Sequence, residues 1–204
     1  MSKIGFLGGT FDPIHVGHLH MAEVSYKEMN LDKIIFLPNA LPPHKENKYS
    51  SYIDRCNMIK LAIKNNGRFD ISYIEKEPKV HYTAETVKVL SKLYSKDKLF
   101  FIIGEDSLIS FDTWYKPKDI LKYVDLIVVP RTNMNNNEYK ELEKAAKKVE
   151  NIYKGEVYVI KSDSVILSST EIRNSISEGK NIDGLVAKEV KEYILKNKLY
   201  VKKR

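Results

Sequence analysis

Residues 8–18 read GGTFDPIHVGH and directly follow an apolar segment, residues 3–7, that has the composition of a buried strand. Two glycines at the end of a strand let the backbone turn tightly and approach a ligand closely. Pro13 has no N–H and a preset φ, so we expect it to lead into a helix. A strand, a glycine turn and a helix start in this order predict the first unit of an α/β fold, with a ligand at the turn.

Two histidines, His15 and His18, lie three positions apart in this stretch. In the first turn of a helix this spacing places both imidazoles on one face, and Gly17 leaves a gap between them. The free N–H groups and the positive dipole end of the helix favour a phosphate. The alternatives are a structural pair or half of a metal site, but a zinc helix usually has a spacing of four and further acidic or thiol ligands. We therefore interpret the stretch as a polyphosphate-binding site.

The rest of the chain alternates between strand and helix patterns. Further strands are predicted at residues 33–37, 69–73, 99–103, 126–129 and 157–160. Helices are predicted at residues 16–29, 52–64, 83–94, 117–123, 138–149, 169–177 and 186–197, with a short one from Asp106 and a loop at the Asn-rich residues 132–137. The pattern predicts one α/β domain over residues 1–204, a Rossmann-like, doubly wound parallel sheet with a small helical C-terminal appendage from about residue 168.

Composition limits the class of protein. The chain has 204 residues, of which 43% are hydrophobic and 30% charged, as in ordinary globular domains. No apolar run approaches the roughly 18 residues of a membrane span, and we find no signal-peptide pattern, so we expect a cytoplasmic protein without a membrane partner. Cys56 is the single cysteine, which excludes an internal disulfide. The net charge of +7 suits nucleotide substrates as well as nucleic acid. Because the lysines are dispersed, we expect no nucleic-acid partner.

Residues 8–18 resemble the signature of the nucleotidyltransferase superfamily that carries a (His/Thr)-x-Gly-His motif. Within it the chain is similar to the bacterial nicotinate-nucleotide adenylyltransferases, through LPPHK at residues 41–45, YT at 82–83, GED at 104–106, Trp114 and SSTEIR at 168–173. The resemblance implies adenylyl transfer from ATP to nicotinate mononucleotide, which gives nicotinate adenine dinucleotide and pyrophosphate in NAD biosynthesis. It implies Mg²⁺ carried by ATP, with no protein cage for the metal, and leaves a homo-oligomer open.

The resemblance also implies site residues. His15 and His18 are the implied catalytic residues. The implied ATP-binding residues are Gly8, Gly9, Thr10, Phe11, His15, His18, Gly104, Asp106, Ser169, Thr170 and Arg173. The implied contacts to the mononucleotide are His44, Lys45, Tyr82, Thr83, Thr86, Trp114 and Tyr115. Arg131, after the fifth strand, either lines the adenine side or is a surface arginine.

Several of these residues have structural interpretations too. Hydroxyls at residues 168–170 are also what a plain helix N-cap would show, whereas Arg173 could bind phosphates bidentately. Trp114 could be a core residue, although it lies in a polar stretch before Pro117, and the resemblance places it against the pyridine ring. An Asp at a helix start, such as Asp106, is a common partner of the helix dipole, as well as a candidate for the ribose hydroxyls.

Two alternative functions remain open at this stage. A sister nucleotidyltransferase would act on another phosphorylated molecule, such as nicotinamide mononucleotide or phosphopantetheine. A non-catalytic nucleotide-binding protein would share the fold, but the presence of both histidines and Arg173 argues against it. If the substrate brings a phosphate that is already ionised at neutral pH, an enzyme needs no general base. This explains why the residues present supply hydrogen-bond donors without a paired nucleophile and base.

Overall fold

The computed structural model describes residues 1–40, 50–131, 133–163 and 165–202. Six strands are described: β1 Lys3–Gly9, β2 Lys33–Pro38, β3 Phe69–Ile71, β4 Lys98–Ile103, β5 Asp125–Val128 and β6 Val157–Val159. All neighbouring pairs are parallel, and the sheet order is β3-β2-β1-β4-β5-β6. The predicted doubly wound parallel sheet is therefore confirmed. The order reverses between β1 and β4, and ligands of such sheets bind at that point, beyond the carboxyl ends of the strands.

Eight α-helices connect and follow the strands within the described residues. They are α1 Val16–Glu28, α2 Tyr52–Ile63, α3 Thr83–Leu93, α4 Glu105–Ile109, α5 Pro117–Leu121, α6 Asn136–Tyr153, α7 Ser169–Ser177 and α8 Lys188–Lys196, with a 3-10 turn at Phe111–Thr113. Each predicted helix is present, and Pro117 occupies the first turn of α5 as expected.

Two helix starts differ from the predictions by two residues each, and α4 begins at Glu105, one residue before the predicted start. The helix α6 begins two residues earlier than expected because Asn135 caps it, accepting hydrogen bonds from the N–H groups of Asn137 and Glu138. The prediction of a loop through residue 137 is therefore wrong for its last two residues. The helix α8 begins two residues later than expected, at Lys188.

Helices cover both faces of the sheet, and the buried side chains of the strands alternate between the two faces. Within β1, Phe6 packs with the core that α3 to α6 form, and Leu7 packs with the core of α1 and α2. The C-terminal helices join the second of these cores, through Ile172 of α7 and through Val190 and Ile194 of α8. No described helix combines the length and the apolar character that crossing a bilayer requires.

Candidate active site

The turn after β1 is built around Phe11. Its φ is 53°, a left-handed conformation that is uncommon for a bulky residue, and its side chain is 1% exposed. The ring packs edge-on against His18, at 5.0 Å between ring centroids, and against Phe36, at 5.7 Å. A Cβ on Gly9 would lie 3.1 Å from Cζ of Phe11. Gly9 therefore makes room for the phenyl ring, and the side chain of Phe11 supports His18 from the core.

His15 and His18 come together as predicted, but by a different local structure. The helix α1 begins at Val16, and His15 is its N-cap in extended conformation, with φ −143° and ψ 172°. The expectation that Pro13 leads directly into the helix and that His15 lies in its first turn is wrong, because the chain stays irregular until Val16. The two ring centroids are nevertheless 3.8 Å apart, and the backbone N–H of His15 donates to Nδ1 of His18 over 3.3 Å.

The two histidines are buried, and the ring of His15 packs directly against Gly17. A Cβ on Gly17 would lie 3.1 Å from Nδ1 and from Cε1 of His15. The predicted gap at Gly17 is therefore the place that the ring of His15 occupies. His15 is 4% exposed and His18 is 9% exposed.

Burial and positive charge both keep the pair neutral. Burial, together with the nearby charge of Arg131, lowers the pKa of His15 to about 4, although Glu171 acts in the opposite direction. Burial lowers the pKa of His18 well below its usual value, and His15 and Arg131 add to this effect. A neutral imidazole that accepts at Nδ1 carries its proton on Nε2, so His18 is a hydrogen-bond donor through Nε2.

The N-terminus of α7 packs against the same turn. Ser169 donates from Oγ to the carbonyl oxygen of Pro13 over 3.0 Å. Arg173 donates from Nη1 to the carbonyl oxygen of Asp12 over 2.7 Å, and from Nη2 to Oγ1 of Thr170 over 3.1 Å. Two helix N-termini, those of α1 and α7, therefore lie at the end of β1.

The cap of α7 is structural. Ser168 is the N-cap residue, and its hydroxyl accepts a hydrogen bond from the N–H of Glu171. The carboxylate of Glu171 accepts in return from the N–H of Ser168 over 2.8 Å. The N-cap interpretation is thus correct for Ser168, and Ser169 and Thr170 form the first turn of the helix beyond it.

The neighbouring end of β4 contributes a buried carboxylate. Glu105 is 4% exposed and accepts a hydrogen bond at Oε2 from the backbone N–H of Arg131 over 2.8 Å. Nε of Arg131 lies 3.3 Å from the position of a Cβ on Gly104 and 3.4 Å from Sδ of Met21. Arg131 is itself exposed, and its charge adds to the effect of burial in lowering the pKa of both histidines. Asp106 is exposed in the first turn of α4.

Aromatic side chains gather at the start of α3 and before α5. Tyr82, the N-cap of α3, and Tyr115 have ring centroids 4.5 Å apart, and the two residues are 43% and 42% exposed. Thr83 is the first residue of α3. Trp114 is half-buried, with its ring centroid 5.4 Å from that of Phe111. These side chains can offer flat apolar surface to a ring of a ligand.

Thr86 engages a carboxyl group of the protein. It is 5% exposed, and its Oγ1 donates to Oε1 of Glu75 over 2.6 Å. Burial raises the pKa of Glu75, which the hydrogen bond from Thr86 partly offsets. The remaining two predicted substrate contacts, His44 and Lys45, lie outside the described residues.

Sequence analysis missed a buried network beneath the turn. Arg55 of α2 is 2% exposed and bonds backbone carbonyls at the ends of both β1 and β2. The carboxylate of Asp12 is 1% exposed and accepts hydrogen bonds from the N–H and the hydroxyl of Ser50 and, over 2.6 Å, from the hydroxyl of Tyr200. One signal was available: Arg55 lies three and four positions before Met58 and Ile59, on the apolar side of α2.

Metal-ligating side chains do not converge in the part of the chain that the structure describes. Within ranges 1–40, 50–131, 133–163 and 165–202, no group of three His, Cys, Asp or Glu side chains converges as ligands. The donors at the end of β1 are backbone N–H groups, imidazoles and guanidinium groups, which suit an anion.

Comparison with known proteins agrees with this geometry. Residues 6–175 match the family described as Cytidylyltransferase-like. A "probable nicotinate-nucleotide adenylyltransferase" of Caldicellulosiruptor bescii is 40% identical over 97% of this chain and 98% of its own. A protein of the same name from Carboxydothermus hydrogenoformans is 34% identical over 98% of each chain. The chain belongs to the nicotinate-nucleotide adenylyltransferase family.

A solved structure of another adenylyltransferase superposes on this chain over nearly its full length. The Plasmodium falciparum nicotinic acid mononucleotide adenylyltransferase complexed with NaAD superposes on this adenylyltransferase-family chain with a TM-score of 0.78. The superposition covers 98% of both chains at 19% sequence identity. At this identity the likeness establishes the shared fold.

Proposed function

We propose that the chain transfers the adenylyl group of ATP to the phosphate of nicotinate mononucleotide and releases pyrophosphate. The observation that carries the proposal is the neutral pair of His15 and His18 at the N-terminus of α1, beside the N-terminus of α7, at the point where the strand order reverses. Such a site has the donors for a triphosphate. The substrate assignment is supported by relatives at 34–40% identity over nearly the full chain that are named for this reaction.

The chemistry needs positioning more than proton transfer. An oxygen of the mononucleotide phosphate attacks the α-phosphorus of ATP, a new P–O–P linkage forms, and the bond from the α-phosphorus to the bridging oxygen of pyrophosphate breaks. The attacking oxygen is already ionised at neutral pH, so no general base is required. The protein holds two polyanions in line and stabilises the charge that develops on the transferring phosphoryl group.

The histidines supply donors that suit this task. In our assignment, Nε2–H of His18 donates to the α-phosphate region as the charge develops, and His15 binds the neighbouring phosphates. A neutral pair contributes hydrogen bonds without mutual repulsion of two buried cations, and an arriving triphosphate raises the pKa of both rings. Gly8, Gly9, Thr10 and the main chain of Phe11 contribute backbone donors and, from Thr10, a hydroxyl.

The second helix is assigned to the leaving group. Ser169, Thr170 and Arg173 are proposed to bind the β- and γ-phosphates. In the structure, the guanidinium of Arg173 is already held at the turn by the carbonyl oxygen of Asp12. A guanidinium presents five donors in a fixed plane, which suits bidentate binding of phosphate oxygens. Gly104 and Asp106 are assigned to the adenosine part, with the exposed carboxylate of Asp106 accepting from ribose hydroxyls.

The pyridine part is assigned to the aromatic group before α5. Trp114 offers the ring surface, and the N-terminus of α3, at Tyr82 and Thr83, offers backbone donors to the nicotinate carboxylate. Tyr115 and Thr86 are proposed as further contacts to the mononucleotide. His44 and Lys45 are proposed as phosphate contacts on the sequence alone. Mg²⁺ enters as part of the MgATP substrate, shielding the triphosphate and keeping several of its own waters.

The test is the release of pyrophosphate. Purified protein is incubated with MgATP and, separately, with nicotinate mononucleotide, nicotinamide mononucleotide or phosphopantetheine. We expect pyrophosphate with nicotinate mononucleotide, together with nicotinate adenine dinucleotide identified by mass. If phosphopantetheine were the only one of the three substrates that gave pyrophosphate, the chain would have a sister activity. If the protein bound MgATP but turned over none of the three, it would be a non-catalytic nucleotide-binding protein.

A further inference from the structure

One buried cation connects the ends of two strands beneath the candidate active site. The Nη1 atom of Arg55 donates to the carbonyl oxygens of Thr10, over 2.7 Å, and of Asn39, over 2.8 Å. Its Nη2 donates to the carbonyl oxygen of Ala40 over 3.1 Å. Thr10 follows β1, and the other two residues follow β2. A single side chain on α2 therefore contacts both loops.

These carbonyls lie beyond the last hydrogen bonds of the sheet, where pairing of β1 with β2 no longer fixes the distance between the two segments. The ladder between β1 and β2 ends at the pair Gly9 and Pro38, and one further bond joins the N–H of Asn39 to the carbonyl of Gly9. Beyond that bond, the guanidinium of Arg55 links the segment after β1 to the segment after β2. The N–H of Ala40 is held separately by the carbonyl of Glu75, which follows β3.

Stability alone does not account for a cation at this position. A buried charge is usually no more stabilising than a well-packed apolar side chain, because its desolvation opposes the gain from its partners. Arg55 is 2% exposed on the apolar side of α2, next to the core residues Met58 and Ile59. Its countercharge is Asp12, in the turn after β1. A planar, charged fork with three carbonyl acceptors is suited to setting a distance between two backbones.

We propose that Arg55 is a positioning residue for adenylyl transfer, which fixes the turn that follows β1 relative to the loop that follows β2. The inference rests on the proposed function, because the first of these segments leads to the ATP-binding histidines. In an in-line transfer between two separately bound phosphates, their relative placement governs turnover, whereas each can bind alone. Loss of the guanidinium should therefore lower kcat more than it weakens binding of either substrate.

The experiment compares Arg55→Lys and Arg55→Met with a control on the same helix, Ile59→Val. Lysine keeps the charge but loses the planar fork, and methionine loses both. We expect turnover to fall at least about tenfold in Arg55→Lys and further in Arg55→Met, with the Kd for MgATP, measured by calorimetry, nearly unchanged. Ile59→Val should lower the temperature of unfolding and leave kcat unchanged. All assays are run well below the unfolding temperature of each variant.

Three results would overturn the inference. They are a wild-type kcat in Arg55→Lys, a loss of MgATP affinity as large as the loss of kcat, and failure of both Arg55 variants to fold. The last result would assign Arg55 to folding. Wild-type protein that releases no pyrophosphate would refute the proposed function and this inference together, whereas an active wild type with fully active Arg55 variants would refute the inference alone.

Discussion

The backbone N–H of His15 donates to Nδ1 of His18, and the two rings lie 3.8 Å apart between centroids. This contact sets the tautomer of His18, since a ring nitrogen that accepts cannot carry the proton. The pair is neutral in the free protein because burial lowers the pKa of both rings. The donor that is offered to a phosphate is thus specified by the backbone of the neighbouring histidine.

Replacement of His18 by alanine should affect turnover more than ATP binding. Its Nε2–H is assigned to charge that develops only in the transition state, and loss of one such donor typically lowers kcat by about 10²- to 10³-fold. The measurement is kcat with pyrophosphate detection, together with the Kd for MgATP by calorimetry. His20→Gln is the matched control, because the ring of His20 bonds the carbonyl oxygen of Asp163 and is assigned no contact with the substrates. Equal losses of kcat and affinity would remove the assignment of His18.

Acidification should destabilise the protein through His15. The ordinary pKa of this side chain is 6.5, and in the folded protein it is about 4. A histidine that is held neutral contributes stability that is fully present above pH 6.5 and is lost as the pH falls towards 4, because the unfolded chain takes up the proton first. Between pH 7 and pH 5 the loss amounts to about 2 kcal/mol in the free energy of unfolding.

The check on His15 is urea denaturation of the wild type and of His15→Asn at both pH values. Asparagine is an N-cap residue and does not titrate, so the variant should lose less stability on acidification, by about 2 kcal/mol. Titrating groups that do not interact with His15 act alike in both proteins and cancel, and part of the loss that remains in His15→Asn comes from His18. Parallel losses in the two proteins would show that His15 is not held neutral in the folded state.

Addition of one methyl group at Gly17 should displace the ring of His15. The new Cβ would lie 3.1 Å from two atoms of that ring, closer than ordinary van der Waals contact. We expect Gly17→Ala to lower kcat by at least about tenfold, because even small misplacement of a positioned group is costly in catalysis. Gly67→Ala is the control, since no atom lies within 4 Å of a Cβ there. Equal activities of the two variants would place the ring of His15 outside the reaction.

The strands and helices follow from local patterns, so most of the fold could be predicted from sequence. Buried parallel strands are continuous apolar runs, and helices carry caps and breakers, such as Pro117 in the first turn of α5. The start of α6 was misplaced because an Asn-rich segment resembles a loop, whereas Asn135 is a helix cap in the structure. Composition does not distinguish the two roles.

The site was predictable only where its residues are close in sequence. The spacing of His15 and His18 correctly predicted that their rings lie together. The predicted reason was wrong in part, because helix α1 begins at Val16 and does not include His15. The contacts of Arg55 and Tyr200 to the turn join residues far apart in the chain, and no local pattern encodes them. The left-handed conformation of Phe11 and the burial of its ring depend on tertiary packing, which no local pattern encodes, so its place in the core was not predicted.

Removal of the indole of Trp114 should weaken binding of the pyridine substrate selectively. The ring is half-buried against Phe111, close in sequence to the exposed ring of Tyr115, and is assigned to stack on the nicotinate. Loss of a stacking contact of about 1 kcal/mol or more corresponds to a rise in KM of roughly fivefold or more. Trp114→Ala should raise the KM for nicotinate mononucleotide in this way and leave that for MgATP nearly unchanged, and Trp114→Phe should restore most of the loss. If the alanine variant were unfolded, or if both KM values rose together, Trp114 would be a core residue that supports the whole site.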